Sequence, residues 1–216
     1  MTRAIFWLAT SLLFGAFSTN CWGKGESGLY LEPFVGFASI NYDDNDGDDS
    51  DDWKGGGMGY GGRVGWSFNG LTVGGVYDTS GTEAENKAIA QNKTDMDFTA
   101  TGIFLGYQTD SGFRFWGTYF LNTKMEWSNF QWSDPAVQAV WEAIYGPGAI
   151  EFTGDGIGIG LGYTFFDTVS VFAELHNYSY DKFKASGGLF GTQERSLTGD
   201  AGSSFWFLGV SIPFTI

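Results

Sequence analysis

Large apolar residues and glycines alternate along most of the chain, and the alternation has the two-residue period of strands. In "GIGIGLGYTFF", residues 156 to 166, Ile157, Ile159, Leu161, Tyr163 and Phe165 occupy one face, while Gly156, Gly158, Gly160, Gly162 and Thr164 occupy the other. The segment "GMGYGGRVGWSFNG" repeats the pattern, with Met58, Tyr60, Val64, Trp66 and Phe68 opposite Gly59, Gly61, Arg63, Gly65 and Ser67. Asn69-Gly70 then supplies a two-residue turn whose central positions both need positive φ, and a partner strand follows from Leu71 to Asp78. Further pairs run from Asp97 to Thr109 and Phe113 to Lys124 about Asp110-Ser111-Gly112, and from Ile150 to Phe166 and Thr168 to Tyr180 about a corner at Asp167. Leu29 to Ile40 opens the series and Ser204 to Ile216 closes it, which makes eight strands.

Connection lengths alternate as well. Short turns fall near residues 69, 110 and 167, and long polar connections occupy roughly 41–57, 79–96, 125–149 and 181–203. An all-β up-and-down meander of eight antiparallel strands can close and so remove its edges, with the long loops at one end. The small set decides which face looks inward. A solvated exterior is normally rich in charged and amide side chains, whereas strand-interior glycine costs backbone entropy and adds no solubility. Glycine suits a crowded bore, so the bulky set is expected to face lipid, as in a transmembrane β-barrel. Ile157 to Phe165 would rise about 20 Å along the bilayer normal at a tilt near 40°, close to the apolar band of such barrels. Trp66, Phe68, Tyr77 and Phe113 lie toward strand ends, where aromatic girdles are expected.

Composition sharpens this picture at three points. The 216 residues include 34 glycines and 21 phenylalanines but only 4 prolines, as expected of one strand-rich domain. Arg3 followed by the apolar stretch from Ala4 to Phe17 reads as a signal peptide over residues 1–23, cleaved after Ser18 or Gly23, with the barrel domain over 24–216. Cys21 is the only cysteine, so no internal disulfide forms, and Ser18-Thr19-Asn20 matches a lipoprotein signal poorly. The formal net charge of −14 argues against nucleic acid as a partner.

The signal peptide, the opening "LYLEPFVGF", the eight-strand spacing and the closing "FWFLGVSIPFTI" resemble the small outer-membrane β-barrel family, which includes the transmembrane domain of outer membrane protein A. The resemblance spans nearly all of the mature chain. It implies a multi-pass protein of the Gram-negative outer membrane with periplasmic termini, in contact with outer-membrane lipids and recognised by the outer-membrane assembly machinery. Gly209, Ile212 and Phe214 match the family's carboxy-terminal assembly signal, although the chain continues to Thr215 and Ile216 where a terminal aromatic residue is usual. No peptidoglycan-binding module is expected.

Strict alternation assigns Glu32, Arg63, Arg114, Lys124, Glu174 and His176 to the lumen as an ion-pair network. Arginine facing lipid near the midplane would cost roughly 2–4 kcal/mol, and buried charges must pair. Two function classes remain: a plugged barrel with a structural or surface-interaction role, and a narrow ion channel or small-molecule transporter. Eight strands leave no wide aqueous pore. The acidic run "DDNDGDDSDD", Asp43 to Asp52, fails the helical calcium-loop template and reads as a solvated surface loop with at most weak divalent-cation binding. Asp134 can cap a helix begun by Pro135, with Val137, Val140, Trp141 and Ile144 on one face packed on the barrel rim. His176 is the only histidine, and Ser179, three residues on, points to the opposite face, so neither catalysis nor a cofactor is expected.

Overall fold

The computed structural model describes residues 27–43, 52–146, 150–166, 168–189, 191–197 and 201–216. The expected signal peptide, Asp44 to Asp51 of the acidic run and the Asp167 corner lie outside the described residues. Seven long strands come first: β1 (Gly28–Asp43), β2 (Trp53–Phe68), β3 (Leu71–Asn86), β4 (Lys93–Gln108), β5 (Phe113–Gln131), β6 (Ile150–Phe165) and β7 (Val169–Ala185). A helix, α1 (Pro135–Tyr145), lies between β5 and β6, and the shorter strands β8 (Gln193–Ser196), β9 (Gly202–Ser211) and β10 (Phe214–Thr215) follow β7.

Each strand pairs antiparallel with the next from β1 to β7, and β9 pairs with both β7 and β1, so the sheet closes. Strands β8, β9 and β10 are three pieces of one wall segment, which makes eight antiparallel strands hydrogen-bonded in a ring. The closing strand is therefore interrupted where one unbroken run to Ile216 was expected. Pro213 has no N–H to donate, and in β1 Pro33, opposite the preceding residue Ile212, lacks one too. Register nevertheless persists across the gap, because Ile212 donates to the Pro33 carbonyl at 3.1 Å and Leu31 pairs with Phe214 beyond it.

At the lower end the turns are tight for local reasons. Asn69 and Gly70 have φ of 49° and 83°, as a primed hairpin turn requires. Gly112, at φ 93°, lets its N–H reach the Thr109 carbonyl at 3.0 Å. Above these turns the bulky residues form an uninterrupted exposed apolar surface, with Leu161 67 % and Trp206 58 % exposed. Water-soluble monomers rarely leave so large an apolar band open. The glycines face the bore because neighbouring rings fill it. A Cβ on Gly158 would stand 2.8 Å from the His176 ring, and one on Gly160 would collide with the Trp116 indole.

At the other end the polar connections expected from the sequence are largely strand. Seven strands of 16 to 19 residues extend about 40 Å along the barrel axis at the usual rise and tilt, well beyond an apolar band of about 25 Å. In this upper tier the polarity of the wall inverts. Lys54, Glu83, Lys93, Glu126, Glu151 and Lys184 face outward, while Ile40, Trp53, Met96, Met125, Trp127 and Phe152 are buried inside. The upper tier is built like a water-soluble barrel standing on a membrane-spanning one.

Bulges carry the alternation across the boundary. In β5 the register skips between Phe120 and Thr123, leaving Leu121 and Asn122 both exposed, and in β7 Asp181 is passed over between Tyr180 and Lys182. Each extra residue exchanges the two faces of its strand. Thr123, Met125 and Trp127 of β5 and Phe183 and Ala185 of β7 thereby turn inward.

Candidate functional site

A charged crossbar spans the lower bore. Glu32 on β1 lies directly opposite Arg63 on β2 in the register, and the Arg63 Nη1 donates to Glu32 Oε2 at 3.0 Å. Arg114, reaching over from β5, grips the same carboxylate with both terminal nitrogens, at 2.6 Å to Oε1 and 2.8 Å to Oε2. Tyr30 Oη and Ser211 Oγ add donors to it, each at 2.6 Å. The second arm of Arg63 donates to Glu174 on β7, which also accepts from the Trp116 indole and lies 3.3 Å from His176 Nε2. Side chains from β1, β2, β5, β7 and β9 thus meet across the bore.

Every charged member of the crossbar is buried, so each needs the satisfaction it receives. The guanidinium of Arg63 is also sandwiched by rings, with its carbon 4.7 Å from the Phe34 centroid and 4.6 Å from that of Trp116. Such contacts favour the cation where water is excluded. The other nitrogen of His176, Nδ1, lies 2.7 Å from Tyr178 Oη, so the ring is held at both ends. Ser179 is exposed on the opposite face of β7, turned away from this imidazole. The described residues include no group of three or more potential metal-ligating side chains.

Five of the six residues assigned to the lumen from sequence lie there, and Lys124 does not. Its side chain is 39 % exposed and reaches Glu126 at 2.8 Å and Glu151 at 2.9 Å on the outer wall. The bulge at Leu121–Asn122 is the cause, since it turns Thr123 inward in its place. The hydrogen bond to Glu126, and then that to Glu151, holds the Lys124 ammonium pKa above its ordinary value.

Sequence reasoning missed Tyr30, Trp116, Ser211 and Asp78. Tyr30 and Trp116 stand two residues from Glu32 and Arg114, so the same-face rule already placed them at the crossbar. Asp78 was read as the end of a strand, but β3 runs on to Asn86 and buries this carboxylate.

The closing strand carries the expected assembly residues on two faces. Gly209 points into the bore, with the Phe172 and Phe207 rings closing over it, whereas Ile212 and Phe214 continue the outward row of Trp206, Leu208 and Val210. At the upper rim Asp134 caps α1 by accepting from the Ala136 N–H at 2.8 Å, and Pro135 opens the helix as expected. Its apolar face divides, because Trp141 packs 4.9 Å from Phe130 while Val137 and Val140 remain exposed. Of the acidic run, Asp52 is buried and paired with Lys87 at 2.8 Å.

No family model matches the chain, and no curated protein sequence is significantly similar to it. Solved structures do match. The outer membrane protein OprG from Pseudomonas aeruginosa is 12 % identical, with 89 % of this chain and 99 % of that chain covered and a TM-score of 0.56. Ail, the attachment invasion locus protein of Yersinia pestis, is 13 % identical over 88 % of this chain and 100 % of that chain, with a TM-score of 0.52. A second structure of Ail, in complex with the heparin analogue sucrose octasulfate, matches at 13 % identity over 87 % of this chain and 99 % of that chain, with a TM-score of 0.51. The ring of eight antiparallel strands, its apolar outer band and its polar bore accordingly have the fold of the small outer-membrane β-barrels.

Proposed function

We propose that this chain is an outer-membrane barrel with a structural and surface-interaction role, its lumen plugged and its upper tier presented outside the cell. The crossbar carries the reading. Arg63 and Arg114 tie Glu32 and Glu174 across a bore whose upper part is packed with rings such as Tyr178, Phe98 and Phe205. A conducting path would need water where these buried side chains stand. Both termini and the short turns belong at the periplasmic end, since the opposite end carries the charged wall and α1. Carboxylates in the acidic run from Asp43 to Asp52 attract divalent cations weakly. Outer-membrane lipids contact the apolar band, and the outward row ending in Ile212 and Phe214, with Gly209 behind it, is the segment offered to the assembly machinery.

Single-channel recording in planar bilayers tests the plug. Folded protein is expected to be electrically silent, and discrete reproducible openings would replace this reading with narrow ion transport.

A further inference from the structure

An open cleft of about 450 Å³ lies at the upper rim between α1 and the ends of β4 and β5. Its volume falls within the range that holds a small molecule. Phe130 and Trp141 supply aromatic surface, and Asp95, Glu142, Asn129 and Gln131 bring carboxylates and amides around them. We infer that this cleft binds a neutral saccharide unit. Sugar rings present C–H faces that lie on aromatic rings and hydroxyls that both give and take hydrogen bonds, so they need carboxylates and amides together. Among the described residues no basic side chain lines the cleft and two carboxylates do, which opposes a sulfated or phosphorylated ligand. Both carboxylates are already hydrogen-bonded to amides, Asp95 to Asn129 at 2.7 Å and Glu142 to Gln138 at 2.6 Å. That polarised arrangement suits hydroxyl groups better than a free cation.

The cleft is built by a backbone irregularity. Asn129 sits at φ 55°, a conformation that side-chain-bearing residues seldom adopt, and the β4–β5 register shifts between Lys93 and Asp95 beside it. The kink sends Asn129 outward to Asp95 and leaves Phe130 beside Trp141. The helix that forms the other wall is held in place beforehand. Gln138 Oε1 accepts the Trp132 N–H at 3.0 Å, Asn92 Oδ1 accepts that of Ser133 at 2.8 Å, and Ala143 carbonyl accepts that of Leu189 at 2.8 Å. Preorganisation of this kind lowers the cost of ligand capture.

This inference rests on the surface-interaction reading only for placing the cleft outside the membrane. Saturation-transfer NMR on the protein in phosphatidylglycerol nanodiscs tests it, with the methyl glycosides of glucose, galactose and N-acetylglucosamine as probes. At least one glycoside is expected to bind in the millimolar range and to weaken about fivefold in Trp141→Ala. Gln131→Ala, an exposed polar change, is expected to weaken it too, with heat-modifiable migration confirming that both variants remain folded. Absence of transfer to all three glycosides, equal transfer in both variants, or preferential binding of tetramethylammonium would overturn the inference. Any of these with a silent, folded barrel sinks the cleft alone, whereas channel openings sink the broader reading.

Discussion

Arg63 is the residue on which the bore depends most, because it holds carboxylates of two separated strands at once. Arg63→Met would keep much of the packing against Phe34 and Trp116 but leave Glu174 without its cation. A loss on the order of 3–5 kcal/mol is expected, the usual consequence of breaking a buried pair from one side, and urea unfolding in lipid vesicles measures it. Gly160 is constrained by space. Any Cβ there meets the Trp116 indole, so Gly160→Val must push the ring off Glu174. Roughly 1–3 kcal/mol of destabilisation is expected, together with a change in tryptophan emission; unchanged emission and stability would mean that the ring does not cover this glycine. That Glu32 and Arg63 share the bore face on adjoining strands followed from alternation along each strand. The approach of Ser211 to Glu32 did not, since one alternating strand says nothing of which neighbour closes the ring.

At the scale of elements, alternation and turn chemistry were sufficient wherever a strand kept one phase. Strands β2 and β6 follow their sequence patterns residue by residue through the apolar band. Strands β5 and β7 do not, because a single inserted residue reverses every later assignment and leaves no mark in composition. Lys124 was misplaced for that reason, and the upper strands were taken for loops because their outward residues are polar. The same polar residues are what an outward face in water requires. The α1 cap, by contrast, was legible from Asp134-Pro135 alone. Asp134→Ala is expected to cost about 1 kcal/mol, the usual value of a lost N-cap. Hydrogen exchange should show faster turnover at the first turn of α1 and no change in the membrane-level strands.

For the whole molecule, the arrangement amounts to two barrels end to end on one set of strands. The lower one turns apolar residues to lipid and charges to the bore, and the upper one turns charges to water and rings to the core. Bulges and polar residues mark the passage between them. Removing the upper core should therefore harm the outer end first. Trp127→Ala deletes a ring packed 4.8 Å from Tyr42 and 5.3 Å from Phe152. A loss of about 3–5 kcal/mol in the upper tier is expected, read as faster exchange above the bulges with the lower ladder still protected.

The most direct measurement is a nitroxide scan along β3 in lipid bilayers, on single-cysteine variants in a Cys21→Ser background. Labels at Val73 and Tyr77 should collide preferentially with oxygen, labels at Glu83 and Glu85 with a water-soluble nickel chelate, and labels at Asp78 and Thr82 with neither. High nickel accessibility at Val73 and Tyr77 would contradict the account, because the exposed apolar band would then face water.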